Sequence, residues 1–299
     1  MSNIPNLFIA GAPKSGTTAL AHNLAIHEDI YLSSRKEPRY FDAHTFFDFE
    51  EDYPIKNLND YLELFSSAEA KDSKYRLDAS VFNMYGEKSI DEILRLSPDA
   101  KFIVLLRDPV SASTSMHKQR LKYPLGGMRE LSEDFLECWS MLDERKKGNK
   151  FPSSCRNKFL FRYDLLYSYE RYIPYLISTI KPENLFIGFY EEYKNDANDF
   201  FKAIFQFLDI KYIELENKIH NESYMIKKSY FIMYLQFISK FTFSLRKKLG
   251  LTGNKLSGLK NFIYSFYKTE NKSDSYDLSS VKEYFKETYK YIDKLKADY

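Results

Sequence analysis

Cysteine is scarce in this sequence of 299 residues, in which Cys138 and Cys155 are the only two. They lack the spacing of a metal-binding motif, and a single pair cannot form the disulfide framework of a small secreted protein. The sequence also lacks a His-Glu-x-x-His stretch or an Asp-rich loop of the kinds that hold metal ions. We therefore expect two free thiols in a reducing compartment and no bound metal.

An excess of charge of one sign is absent as well. The formal net charge is +2, which is too small for the field of the whole protein to hold a nucleic acid, so any anion site must be local. No run of about 18 uninterrupted apolar residues is present, which argues against a membrane-spanning helix. Residues 1–11 lack the basic stretch and long apolar stretch of a secretory signal. We expect a cytoplasmic location, which is compatible with a peripheral contact at the inner face of the membrane.

Hydrophobic residues make up 44% of the chain and charged residues 29%, as in a globular protein with a sizeable core. Short apolar runs predict strands at 7–10, 75–79, 102–106 and 185–189. Helical patterns begin at Thr17 and continue at 89–96, 110–120, 132–147, 163–180, 196–208, 229–250 and 279–295. This alternation favours a three-layer α/β fold with a central parallel sheet. We predict one α/β domain over residues 1–215 and a C-terminal helical extension over 216–299 packed on it, with a loop at 251–275.

The loop after the first predicted strand carries the strongest motif. Residues 11–18 read G-A-P-K-S-G-T-T. A loop between a strand and the N-terminus of a helix presents backbone N–H groups to an anion, so this loop is predicted to bind phosphate. It differs from the Walker A pattern, in which the lysine directly follows the second glycine, because Lys14 lies two residues before Gly16.

This shortened loop resembles the 5′-phosphosulfate loop of sulfotransferases that use 3′-phosphoadenosine 5′-phosphosulfate (PAPS), whose fold is like that of P-loop nucleotide-binding proteins. The resemblance implies PAPS as co-substrate, adenosine 3′,5′-bisphosphate (PAP) as product and no metal. It implies that Lys14 reaches the oxygen that bridges sulfonate and phosphate, while hydroxyls and amides of the loop hold the 5′-phosphate. The residues assigned to the nucleotide here are Pro13, Lys14, Ser15, Gly16, Thr17 and Thr18. A turn that merely caps a helix is the alternative.

A second segment follows the predicted strand at 102–106. It reads R-D-P from Arg107, and Ser115 comes eight residues after the arginine. This resembles the family's 3′-phosphate site, and a guanidinium fork with a hydroxyl donor suits a dianionic phosphate ester. Lys228 and Ser229 resemble the family's loop that closes over the nucleotide, although a basic pair at a helix start is usually solvated.

A third segment, residues 36–42, reads K-E-P-R-Y-F-D and resembles the glycan and heparan branch of the family. The resemblance makes Glu37 the general base on the acceptor, because a neutral hydroxyl needs one, and places Lys36 beside the transferring sulfonate. Arg39 stands where that branch frequently has a histidine. The alternative is a solvated Lys36–Glu37 charge pair. Asp78 either orients Lys36 or an acceptor hydroxyl, or caps the segment that follows it.

The resemblance thus implies sulfonate transfer with Glu37, Lys14 and Lys36 as the catalytic residues. A glycan or glycolipid acceptor in a bacterium is expected, and a small alcohol or phenol is the alternative. A P-loop kinase and a non-catalytic nucleotide-binding module are the competing functions. Residues 230–249 are apolar on most sides and end in a basic cluster, which predicts a buried helix, a homodimer contact or a helix at a membrane surface.

Overall fold

The parallel sheet predicted from the apolar runs is the centre of the fold. The computed structural model describes residues 3–47, 52–123, 126–215, 224–226, 268–270 and 277–298. Five parallel strands pair in the order β2-β3-β1-β4-β5. They are β1 Leu7–Gly11, β2 Ile30–Leu32, β3 Tyr75–Asp78, β4 Lys101–Leu106 and β5 Leu185–Phe189. The α/β class with a central parallel sheet is confirmed.

Helices lie between these strands and after them. They are α1 Thr17–Leu24, α2 Ala43–Phe46, α3 Leu58–Glu63, α4 Ala68–Asp72, α5 Glu87–Leu96, α6 Pro109–Arg120, α7 Phe135–Ser140, α8 Leu142–Lys146, α9 Tyr163–Leu166, α10 Ile173–Thr179, α11 Tyr190–Asn195, α12 Ala197–Phe207, α13 Ser279–Tyr284 and α14 Lys286–Asp298. Short 3₁₀ turns occupy Asn83–Tyr85, Lys158–Phe161, Tyr169–Arg171 and Pro182–Asn184. Two further strands, β6 Tyr224–Ile226 and β7 Lys268–Glu270, pair antiparallel.

The core lies on the central strands. β1 is buried along its whole length, as is β4 from its second residue onward. Leu7 of β1 is aligned with Leu77 of β3 and with Lys101 of β4, and Phe8 stacks on Phe102 with ring centroids 5.5 Å apart. Each fully buried Leu, Ile or Phe stabilises the fold by about 1.5–3 kcal/mol. These strands are covered on both faces, and for that reason they appear in the sequence as continuous apolar runs.

Contacts divide the chain into two compact units. The first comprises residues 1–113, 164–220 and 279–299 and contains the parallel sheet. The second comprises residues 114–163 and 221–278. The predicted boundary between residues 215 and 216 stays a prediction.

The second unit is organised around a buried ion pair. The Arg145 guanidinium lies 2.5 Å from Glu130, and both side chains are fully buried. Tyr163 donates to the same carboxylate, and Arg145 also donates to the carbonyl of Phe161 at 2.9 Å. Burial alone would raise the pKa of Glu130, but the Arg145 cation and the hydrogen bonds from Arg145 and Tyr163 outweigh it, so the pKa is lowered. Every charge in this cluster has hydrogen-bond partners, as buried charges require.

Several sequence expectations differ from the structure. The helix expected over 132–147 is two helices, α7 and α8, and the one expected over 163–180 is divided into α9, a 3₁₀ turn and α10. Pro174 lies in the first turn of α10, where it favours a new helix start over the continuation of an earlier helix. Strand β2 was not predicted, and β7 lies within the expected loop at 251–275. The helix expected at 229–250 lies outside the described residues.

Candidate functional site

The carboxyl end of the parallel sheet carries the three segments that the sequence singled out. The loop 11–16 follows β1, Arg107 follows β4, and residues 36–42 follow β2. Strand β1 lies between β3 and β4, so the chain leaves β1 towards one side of the sheet and later forms β4 on the other side. Ligands of open parallel sheets bind beyond the carboxyl ends of the strands at such a switch point.

The loop after β1 has the backbone shape of an anion cradle. Lys14 and Gly16 have φ angles of 68° and 85°. Gly16 is the N-cap residue of α1 and has no side chain that could cap the first turn, so the N–H groups of that turn can attract an anion. A Cβ at Gly16 would lie 2.9 Å from the ring of Tyr190. Glycine therefore satisfies both the positive φ and the close approach of an aromatic ring.

Hydroxyl groups accompany this cradle. Ser15 and Thr17 are buried and Thr18 is exposed. Ser15 Oγ neighbours the Tyr169 hydroxyl, yet it makes no hydrogen bond of good geometry within the described part of the chain. A buried hydroxyl without a partner is costly. An anion oxygen in the cradle would satisfy it, so the loop fits a phosphate group.

Arg107 joins the ends of β4 and β1. Its Nη1 donates to the carbonyl of Lys14 at 2.9 Å, and its guanidinium lies 4.5 Å from the centroid of the Tyr190 ring. Its Nε is buried and has no hydrogen-bond partner among the described residues. The guanidinium is therefore held by one bond and one aromatic face while part of its donor capacity remains unused, which suits an anion such as a phosphate ester.

The backbone around Arg107 is fixed by side chains that the sequence analysis did not select. The Tyr169 hydroxyl donates to the carbonyl of Arg107 at 3.0 Å, and the amide of Asp108 donates to Glu191 Oε1 at 3.1 Å. Burial raises the pKa of Tyr169, so its hydroxyl stays protonated as a donor. Tyr169, Tyr190 and Glu191 are distant from Arg107 in sequence, so no local pattern could reveal these contacts.

Lys36 and Glu37 form the charge pair of the third segment. Lys36 Nζ lies 2.7 Å from Glu37 Oε1, and the two side chains are 19% and 32% exposed. The carbonyl of Lys36 accepts from the amide of Ala79 at 3.3 Å, which ties this segment to the end of β3. A partly exposed carboxylate beside an ammonium group can accept a proton from a bound hydroxyl.

Asp78 organises the end of β3 below that segment. It is fully buried; Oδ1 accepts from the amide of Ser80 at 2.8 Å, and Oδ2 accepts from the Tyr61 hydroxyl at 2.7 Å. Burial raises the pKa of Asp78 to about 6. Ser80 Oγ in turn accepts from the amide of Arg39 at 2.9 Å. Asp78 therefore makes the contacts expected of a residue that caps the segment following it. Ser80 then connects this end of β3 to the segment that carries Glu37.

Arg39 is enclosed by its own segment. Nε and Nη2 both donate to Asp42 Oδ2, at 3.1 and 3.0 Å. The guanidinium also lies over three aromatic rings, at 3.7 Å from the Phe46 centroid, 4.8 Å from Phe47 and 4.6 Å from Phe82. Burial raises the pKa of Asp42 and the cation opposes that shift. Arg39 therefore acts as a structural clamp on residues 36–42.

The remaining sequence candidates are placed as follows. Ser115 is half-buried on α6, eight residues after Arg107, in the part of that helix grouped with the second unit. Lys228, Ser229 and residues 230–249 lie outside the described residues. Among the helices that are described, none combines the length and the apolar character needed to cross a bilayer. The described ranges also contain no cluster of three or more His, Cys, Asp or Glu side chains able to hold a metal ion.

Comparison with known proteins adds to this geometry. A family model described as a sulfotransferase domain matches residues 5–231. A membrane-associated sulfotransferase of Dictyostelium discoideum is 31% identical over 114 residues, which is 38% of this chain and 22% of that protein. Carbohydrate sulfotransferase 15 of Rattus norvegicus is 24% identical over 250 residues, which is 69% of this chain and 44% of that protein. The chain thus spans less than half the length of these relatives.

The fold has a counterpart among solved structures. A sulfotransferase from Alicyclobacillus acidocaldarius matches with a TM-score of 0.62 and 24% identity, over 73% of this chain and 86% of that one. At this level of identity the match supports the arrangement of strands and helices, while the roles of individual residues rest on the contacts described above.

Proposed function

This chain belongs to the sulfotransferase domain family, and from that premise we propose that it transfers the sulfonate group of PAPS to a hydroxyl or amine of an acceptor and releases PAP. The observation that carries the proposal is the meeting of the loop after β1 with Arg107, which donates to the carbonyl of Lys14. A phosphate cradle and a guanidinium with unused donor capacity suit a nucleotide that has phosphates at both 5′ and 3′ positions.

We assign the nucleotide contacts as follows. The amides of the loop, with Ser15, Thr17 and Thr18, hold the 5′-phosphate, and Lys14 faces the oxygen that bridges phosphate and sulfur. Arg107 holds the 3′-phosphate. The buried Ser15 hydroxyl and the buried Arg107 Nε, neither of which has a hydrogen-bond partner in the described ranges, support these roles. The roles of Pro13, Gly16, Ser115, Lys228 and Ser229 at the nucleotide stay predictions from the sequence.

Proton removal is assigned to Glu37. The acceptor oxygen or nitrogen forms a bond to sulfur as its proton passes to the Glu37 carboxylate, and the bond between sulfur and the 5′-phosphate oxygen breaks. Lys14 offsets the charge left on that oxygen. The Lys36–Glu37 pair at 2.7 Å orients the carboxylate, and Lys36 lies on the side of the transferred sulfonate. Removing one such charge-stabilising donor typically costs about 10²–10³ in rate.

Nucleotide binding distinguishes this function from its rivals. Isothermal titration calorimetry with PAP and with ADP should give a much tighter complex with PAP, because only PAP carries the 3′-phosphate for Arg107. A kinase would prefer ADP with Mg²⁺. Preference for ADP, or binding of neither nucleotide, would contradict the proposal. Transfer of labelled sulfate in a second assay separates an enzyme from a binding module.

For the acceptor we infer a glycan or glycolipid hydroxyl. Support comes from the resemblance of residues 36–42 to the glycan branch and from the similarity to a carbohydrate sulfotransferase. Profiling labelled sulfate transfer across oligosaccharides, glycolipids and phenols tests this. Transfer to phenols alone would favour the small-alcohol alternative. Contact of residues 230–249 with a membrane surface, which would bring the site to a lipid-linked acceptor, stays a prediction, as does a homodimer.

A further inference from the structure

The last two helices of the described chain lie outside the family match, which ends at residue 231. Along α13, α14 and the single residue that joins them, the buried residues recur every three or four positions, as on one face of a helix: Val281, Phe285, Thr288, Ile292 and Leu295. The intervening residues are mostly exposed and charged. A single buried stripe of this kind shows that the two helices pack against the first unit, to which they belong.

The polar contacts of α14 identify what it packs against. Thr288 Oγ1 donates to Glu170 Oε2 at 2.7 Å, in the 3₁₀ turn that also carries Tyr169. The Tyr289 hydroxyl donates to Asp108 Oδ2 at 2.5 Å. Two turns further along the helix, Lys296 Nζ lies 4.9 Å from the ring centroid of Phe189 at the end of β5. The helix therefore lies along the carboxyl ends of β4 and β5, where Arg107 is held.

Asp108 is the link between α14 and Arg107. Its Oδ1 accepts from the amide of Ser111 at 2.7 Å and so caps α6, and its own amide donates to Glu191. The second oxygen, Oδ2, is the one that Tyr289 occupies. Burial and the hydrogen bond to Asp108 both raise the pKa of Tyr289, so its hydroxyl remains a donor across the physiological range.

Charge explains why this hydrogen bond matters for an anion site. A carboxylate next to an arginine in sequence can compete with an incoming phosphate for the guanidinium. Here one oxygen of Asp108 is committed to the start of α6 and the other to Tyr289, so the carboxylate is satisfied without the guanidinium of Arg107. That guanidinium instead donates to the loop after β1 and lies over Tyr190.

We propose that α14 is part of the nucleotide site and that Tyr289, acting through Asp108, is a positioning residue for Arg107. The identity of the ligand rests on the proposed function. Because coupling between two sites is reciprocal, nucleotide binding and the docking of α14 stabilise each other. The hydroxyl of Tyr289 therefore favours ligands that carry a 3′-phosphate and has little effect on AMP.

The test compares Tyr289→Phe with the wild type in the full chain by calorimetry with PAP and with AMP. Affinity for PAP should fall about 3- to 10-fold, less than on removal of a direct hydrogen bond to a charged ligand because Tyr289 acts on the nucleotide through Asp108, while affinity for AMP changes little. Tyr284→Phe is the matched control, because that side chain is 43% exposed on α13. Equal losses for both nucleotides, or no loss, would overturn the proposal.

A double-mutant cycle and a structural readout complete the test. Asp108→Asn keeps a capping side chain for α6, and in that background Tyr289→Phe should weaken PAP binding much less than it does alone. Hydrogen exchange of wild-type residues 286–298 should slow with PAP and not with AMP. Additive effects in the cycle, or exchange that PAP leaves unchanged, count against the link.

Failure of the wild type to bind PAP would overturn the proposed function together with this inference, whereas tight wild-type binding with an unaffected Tyr289→Phe variant overturns only the inference.

Discussion

At the scale of single residues, Arg107 has the most specific expected effect. It is held by the carbonyl of Lys14 and the ring of Tyr190, so the position of its guanidinium is fixed before any ligand arrives. Arg107→Ala should weaken PAP binding by about 1.5–3 kcal/mol, the range for a charged hydrogen bond, and barely affect AMP. Calorimetry with both nucleotides measures this, and Arg95→Ala, at an exposed position on α5, is the control. Equal losses for PAP and AMP would refute the 3′-phosphate assignment.

Glu37 should separate catalysis from nucleotide binding. Glu37→Gln keeps the shape of the side chain and removes its ability to accept a proton, so turnover should fall by about 10²-fold or more while PAP affinity is nearly constant. The measurement is labelled sulfate transfer under saturating PAPS. Glu63→Gln changes an exposed residue of α3 in the same way and should leave turnover unaffected. Normal turnover in Glu37→Gln would exclude Glu37 as the base.

Asp78 should make stability depend on pH. Its pKa is raised from 3.8 to about 6 by burial, so its contribution to stability is fully present below about pH 4 and is lost as pH rises through 6. A shift of this size corresponds to roughly 3 kcal/mol.

Asp78→Asn removes the titration. Between pH 4 and pH 7, the unfolding free energy of the wild type should therefore fall by roughly 2–3 kcal/mol relative to that of the variant. Urea unfolding at several pH values measures it, with Asp293→Asn on the exposed side of α14 as control. A difference that is the same at both pH values would show that Asp78 does not titrate in this range.

At the scale of elements, the segment after β2 depends on one buried pair. Arg39→Met leaves the fully buried carboxylate of Asp42 without its cation, which should cost about 3–5 kcal/mol of stability. Adding Asp42→Asn removes the stranded charge, so the double variant should recover a large part of that loss. Urea unfolding of the two single variants and the double variant measures this. Strictly additive losses would mean that the two side chains do not act as a pair.

The same elements show what the sequence could predict. Strands β1, β4 and β5 were predicted because each is a buried apolar run, and the loop after β1 was predicted because its motif is local in sequence. Strand β2 has only three residues, two of them half-buried, so it lacks a recognisable pattern. The break between α9 and α10 was missed because the apolar residues continue through Tyr167 and Tyr169, which are fully buried.

The supports of the site could not be predicted for a related reason. Arg107 was found from its own motif, yet the residues that contact it or its neighbour Asp108, which are Tyr169, Tyr190 and Tyr289, come from three separate stretches of chain. Each is an ordinary tyrosine in a sequence that contains 25 of them. Only tertiary contacts distinguish these three from the rest. Arg39 stands where the glycan branch frequently has a histidine, and its structural role is likewise visible only from the aromatic rings around its guanidinium.

At the scale of the whole molecule, the two units use different means of stabilisation. The first unit has an apolar sheet whose central strands are fully buried. The second has the buried Arg145–Glu130 pair with Tyr163. An apolar core tolerates changes that conserve volume, whereas removing one member of a buried pair leaves an uncompensated charge. Substitutions at Arg145 or Glu130 should therefore lower the stability of the second unit, and a loss of activity in such variants would report on folding rather than on the reaction.

The central strand of the sheet is also the first strand along the sequence. During synthesis β1 leaves the ribosome before either of its neighbours exists, since it pairs through Leu7 with Leu77 on one side and Lys101 on the other. Pairings this distant make folding slow, and an apolar strand with two open edges is a template for aggregation. Nascent chains of this protein are therefore expected to need chaperone protection until residue 106 has emerged, after which β4 can close the second edge.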